Sequence, residues 1–144
     1  MEILSIGTIN LAVRDAQSAG ERFRKLGLPP VTESLVRLDE RPAQIRYHTV
    51  PVGDSSLSLV EPSDETSPIA RYLDRKGEGV FSISLIVSDL GELMKIWKGE
   101  GVEWVLDSPM PFEPAEGRTH GGKCNWTKPK STHGILFEVI ERHE

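Results

Sequence analysis

Phe81-Ser82-Ile83-Ser84-Leu85-Ile86-Val87-Ser88-Asp89 reads as a strand running into a helix cap. Ile83, Leu85 and Val87 alternate with Ser82, Ser84 and Ile86. Period two means one apolar face and one face of small, mostly polar side chains. Asp89 is placed to cap a helix, with Glu92 three residues on as its capping-box partner. Leu90, Leu93, Met94 and Trp97 form the apolar stripe of that helix, and Gly101 ends it.

The same plan is written once before. Ile9, Leu11 and Val13 alternate with Thr8, Asn10 and Ala12, Asp15 caps, Phe23 is the large aromatic, and Gly27 stops the helix expected over 16–26. Every one of these positions recurs at an offset of 74, from 9 to 83 and from 27 to 101. Cap, aromatic and terminal glycine matching in one register indicate an internal duplication. Three strands should follow each helix: about 31–38, 43–52 and 55–61 first, then 102–106, 121–127 and 134–140. Gly53-Asp54 marks a hairpin, and a Pro/Gly-rich loop is expected over 107–122. Ser67-Pro68-Ile69-Ala70-Arg71-Tyr72-Leu73 reads as a linking helix with Pro in its first turn. The expected fold class is α+β, with a βαβββ module at 1–66, a linker helix at 67–77 and a second module at 78–144. Since neither module could cover both faces of its own sheet, the two should form one curved eight-stranded sheet. A concave groove would lie in front of it, with helices on the outer face.

That arrangement singles out the polar faces. Thr8 and Asn10 lie on the first strand, Ser58 on the fourth and Ser82 and Ser84 on the fifth. Glu138 lies within the apolar run Ile135-Leu136-Phe137-Glu138-Val139-Ile140. A carboxylate in such a run is costly unless paired or used. Small hydroxyls around it leave room for a ligand where a filled core would have large apolar groups. The plain alternative is ordinary Ser and Thr on a solvated sheet face.

Composition narrows the field. The 144 residues are 38% hydrophobic and 27% charged, as in a globular domain, and the net charge of −5 disfavours nucleic acid as a partner. No apolar run is long enough to span a membrane. The N-terminus lacks a signal-peptide pattern, and the single cysteine, Cys124, suits a reducing compartment, so a cytoplasmic location is expected.

Thr8-Ile9-Asn10-Leu11-Ala12-Val13, Leu57-Ser58-Leu59-Val60-Glu61-Pro62, Ser82-Ile83-Ser84-Leu85-Ile86-Val87 and, most specifically, Pro129-Lys130-Ser131-Thr132-His133-Gly134-Ile135-Leu136-Phe137-Glu138 carry a resemblance. The chain resembles the vicinal oxygen chelate superfamily, and within it the methylmalonyl-CoA epimerases. The resemblance implies a homodimer, a small-molecule substrate and a divalent metal held at four places. Those places are here Thr8, Ser58, Ser82 and Glu138, so three of the four ligands are replaced. No cofactor is expected, with a weak divalent site at Glu138 left open. The resemblance also puts Glu40, in Leu38-Asp39-Glu40-Arg41-Pro42, in the place of a catalytic glutamate.

Other polar candidates are less tied to a pattern. His48, His120 and His133 have no compact metal-ligand spacing. Arg46 and His48 share strand parity and face either groove or solvent, while Asn125 sits on the expected strand 121–127. Two functions follow. One is a metal-independent acid/base enzyme, an epimerase, isomerase or related lyase acting on a small carbonyl or acyl-thioester metabolite. In it Glu138 and Glu40 are the acid/base groups, and Thr8, Asn10, Arg46, His48, Ser58, Ser82, Ser84 and Asn125 contact the substrate. The other is a binding protein that sequesters a small molecule, as bleomycin-resistance proteins do.

Overall fold

The computed structural model describes residues 1–38, 44–62, 64–112 and 121–143; for 33–38 and 44–46 the description covers the backbone. Among them are eight strands, three α-helices and a short 3-10 turn, an α+β chain. The chain divides into two compact units: Thr8–Phe81, and Met1–Gly7 together with Ser82–Glu144.

In the unit Thr8–Phe81, the second part of β1 (Ile3–Ala12) is followed by α1 (Ala16–Lys25), β2 (Glu33–Leu38), β3 (Gln44–Val52), β4 (Ser55–Pro62) and α2 (Pro68–Lys76). Strand order is β2-β3-β4-β1, with β1 and β4 parallel and the hairpin partners antiparallel. Gly53 takes φ +56 at the tip of the β3–β4 hairpin, as the sequence predicts. α1 packs on Leu11, Val13, Val50, Leu57 and Leu59 through Ala16, Ala19 and Phe23. Burying a Val or Leu side chain is worth about 1.5–3 kcal/mol, so this layer holds the unit together. On the opposite sheet face, α2 places Ile69 and Leu73 against Ala12, Val60 and Tyr47.

The second unit repeats the plan with β5 (Gly79–Val87), α3 (Leu90–Gly99), β6 (Met110–Phe112), β7 (Gly122–Trp126) and β8 (Phe137–Arg142). β8 lies parallel to β5 and antiparallel to β7, and β6 pairs with β7. α3 packs Leu90, Leu93, Met94 and Trp97 on Val87, Phe137 and Val139, with Trp104 stacked on Trp97. The first part of β1 belongs here: Glu2 and Ser88 exchange backbone and hydroxyl hydrogen bonds, and Gly7 lies against Ile86 and Ser84. Gly122 is where backbones crowd, because a Cβ there would run into the Glu141 carbonyl.

The duplication extends to the helix ends. Asp15 Oδ1 accepts from Ser18 N at 3.1 Å, and Asp89 Oδ1 accepts from Glu92 N at 3.0 Å. Each first helical N–H is taken by a glutamate of the last strand of its module. Ala16 N donates to Glu61 at 2.8 Å, and Leu90 N donates to Glu141 at 2.9 Å. Both helices close in a Schellman motif: Leu28 N reaches Phe23 O and Val102 N reaches Trp97 O, around Gly27 at φ +97 and Gly101 at φ +94.

The second module departs from expectation in three places. The stretch 102–106 contributes an isolated bridge, Trp104 to Thr127, instead of a strand. The short β6 lies within the stretch expected as loop. β8 starts at Phe137 because Pro129–Thr132 forms the 3-10 turn, with His133 at φ +54 and Gly134 at φ +83 behind it.

Candidate functional site

Strand alternation fixes which side chains share a face, and pairing fixes which of them are neighbours. In the unit of Ser82–Glu144, Ser84 is opposite Glu138 on one side and Trp126 is opposite it on the other. Three adjacent strands thus set Ser84, Glu138 and Trp126 in a row. Ser84 Oγ donates to Glu138 Oε1 at 3.0 Å, and the Trp126 indole N–H donates to Glu138 Oε2 at 3.0 Å. The carboxylate is half-buried, and each of its oxygens has a donor. Two donors on one carboxylate hold the group in one rotamer. Ser84 is only 1% exposed, so its hydroxyl serves the protein interior. Ser82, on the same face of β5, is buried too.

The unit Thr8–Phe81 carries the equivalent face. Asn10 is opposite Ser58, and Thr8 is opposite Ser56. Thr8 Oγ1 donates to Asn10 Oδ1 at 2.8 Å, and both Asn10 and Ser58 are buried. Thr49 is opposite Ser58 on its other side. The row Asn10–Ser58–Thr49 is uncharged, with Ser58 where its repeat partner, 80 residues on, is Glu138, and β2 continues it with Glu33 at the register position opposite Thr49.

The other sequence candidates fall elsewhere. His48 is opposite Leu59, so it shares the face covered by α1 and is turned away from Asn10 and Ser58. Arg46 holds a register position opposite Glu61, whose carboxylate caps α1. Glu40 and His120 lie outside the described residues. Asn125, expected to meet a ligand, is fully buried and opposite Val139 of the core. Its side chain accepts from Leu106 N and Trp126 N and donates to Leu106 O, so it ties the 105–107 segment to β7. Parity explains the displacement, since β7 turns odd residues to α3 and even residues to the face of Glu138. Trp126 is the site residue the sequence did not single out. Its only signal was that parity, which requires the β7–β8 register.

Among the described residues, no three His, Cys, Asp or Glu side chains are grouped so as to hold a metal ion. Nor, among them, is any helix long and apolar enough to cross a membrane.

No protein-family model matches the chain. It is 27% identical over 136 residues to the uncharacterized protein YqjC of Bacillus subtilis, covering 94% of this chain and 89% of that one. Among solved structures, methylmalonyl-CoA epimerase of Mycobacterium tuberculosis superposes with a TM-score of 0.78 at 24% identity, over 99% of this chain and 90% of that one. A variant of the Streptomyces coelicolor methylmalonyl-CoA epimerase, in complex with 2-nitronate-propionyl-CoA, gives a TM-score of 0.76 at 26% identity, over 97% of this chain and 95% of that one. The duplicated βαβββ plan, the matched helix ends and these likenesses agree: the chain has the vicinal oxygen chelate fold, in the form found in the methylmalonyl-CoA epimerases.

Proposed function

We propose that this chain is a metal-independent acid/base enzyme that moves a proton at the carbon beside a carbonyl, with an acyl-CoA thioester as its substrate class. The observation that carries the reading is the row Ser84–Glu138–Trp126, in which a carboxylate is held by two neutral donors. A base of this kind must be charged before it acts and fixed in direction when it acts. Glu138 takes the proton, the C–H electron pair moves into the enolate, and return of a proton to the opposite face completes an epimerisation. Glu40 is the second base of this reading. The epimerase likenesses support the substrate class, since one of those proteins is in complex with 2-nitronate-propionyl-CoA.

The donor chemistry supports metal independence. At the four places where the resemblance puts a divalent ion stand Thr8, Ser58, Ser82 and Glu138. Neutral hydroxyls are poor ligands, and both Glu138 oxygens already accept hydrogen bonds. The residues do not fit the ion. A homodimer is part of the same proposal, with exposed Ile3, Leu4 and Ile6 of β1 as apolar surface available to it; a monomeric mass by sedimentation would remove it.

The test is deuterium uptake from heavy water into methylmalonyl-CoA and other 2-substituted acyl-CoAs, with and without chelator. Uptake that resists chelator and disappears in Glu138→Gln is the expected result. Uptake by none of them, or undiminished uptake in Glu138→Gln, overturns the reading. Stoichiometric binding of an unchanged ligand, indifferent to Glu138→Gln, would replace it with the sequestering function.

A further inference from the structure

We infer that Trp126 is the positioning residue for Glu138 and decides which carboxylate oxygen receives the proton; this rests on the acid/base reading of Glu138. The two donors on the carboxylate differ in kind. An indole nitrogen can only donate, whereas a hydroxyl donates or accepts by turning about its C–O bond. Oε2, at 3.0 Å from the Trp126 nitrogen, must therefore keep a lone pair toward the indole in both protonation states of Glu138. Oε1 faces Ser84 Oγ at 3.0 Å, a partner that can reverse its role. When the substrate C–H bond breaks, its electron pair stays on the substrate as the enolate and the proton settles on Oε1. The Ser84 hydroxyl then turns to accept from it. Passing the proton back from Oε1 to carbon restores the starting state, and no other reactant is consumed.

The fold makes this bracket stiff. Ser84 and Trp126 sit directly opposite Glu138 on the two strands that flank it, so the row is set by ladder register and not by a loop. Nor does an indole in this chain require such a partner. Trp104 Nε1 is buried with no hydrogen-bond partner among the described residues. Trp126 spends its single donor on the one carboxylate of the row.

The experiment has two arms. In the first, Trp126→Phe keeps an aromatic ring and removes the N–H. Deuterium uptake into methylmalonyl-CoA should fall about tenfold in kcat, the worth of one hydrogen bond to a charged group, at unchanged KM. In the second, without substrate, the Trp126 indole N–H resonance is identified by its loss in Trp126→Phe. It should shift in Glu138→Gln while the Trp97 and Trp104 resonances stay. A wild-type kcat in Trp126→Phe, a loss carried by KM alone, or an unmoved indole resonance overturns the assignment of Trp126 and leaves the base reading standing. Absence of uptake by the wild-type protein overturns both.

Discussion

The two modules share a backbone plan and differ in one chemical choice. β4 and β8 each follow an apolar rhythm, with Leu59 and Val139 fully buried against a helix. Each sends a glutamate, Glu61 or Glu141, to the first N–H of that helix. On the opposite face, the first module puts Ser58 beside Asn10 and the second puts Glu138 between Ser84 and Trp126. The helix packed on the sheet and the caps at both its ends are duplicated, and the carboxylate on the fourth strand's other face is not. The lesson is that the helix-facing half of the pattern is constrained by packing, while the other face is open to chemistry.

The largest effect that could break this contrast is catalytic. Glu138→Gln should lower proton exchange by about 10²–10⁴-fold, the range of a general base. Ser58→Ala should change it by less than about tenfold, the worth of one ordinary hydrogen bond at most. Comparable losses in both would mean that the two faces act alike. Thermal or urea unfolding tests the shared part. Glu61→Ala and Glu141→Ala should each cost about 1–2 kcal/mol, since each uncaps a helix N-terminus. Glu141 also lies 3.6 Å from Lys123 and 3.3 Å from His143, and part of its cost should therefore fall away at high salt. Gly27→Ala and Gly101→Ala should each cost about 1 kcal/mol, equal within error, because each needs a left-handed backbone and a Cβ meets nothing else there. The smallest effect belongs to the turn before α2. Thr66 donates its hydroxyl and its N–H to Asp64, which holds that carboxyl below its ordinary 3.8. The turn's contribution is present above the ordinary carboxylate range and fades as pH falls through the lowered value. In Thr66→Val the Asp64 titration followed by NMR should move up toward 3.8.

Much of the fold was legible because each signal was local. Asp15 and Asp89, Phe23 and Trp97, and Gly27 and Gly101 announce helix starts, faces and ends within a few residues. Glu138 was legible as a charge out of place. What was not legible depends on register. Val102 and Trp104 alternate like a strand, yet only Trp104 bridges to Thr127. Asn125 and Trp126 are adjacent in sequence, and either could have faced Glu138. The 3-10 turn at Pro129–Thr132 sets the hairpin, and with it the choice of Trp126, through bonds such as Thr132 Oγ1 to Ile135 O at 2.6 Å. A one-residue slip there would exchange the two faces. For His48 the deciding fact was its place opposite Leu59, again a matter of pairing.

Residues 1–7 belong with residues 82–144, although the repeat would assign them to the first module. This has a consequence for how the protein is made. During synthesis residues 1–7 emerge before any of β5 exists, so they must wait through the whole of the first module for their partner. A fragment beginning at residue 78 would leave Ser88 without Glu2 and expose the β5 backbone as a bare edge, ready to pair with another chain. The first module can collapse on the ribosome, but the second becomes a cooperative body only when residues 1–7 come back to it.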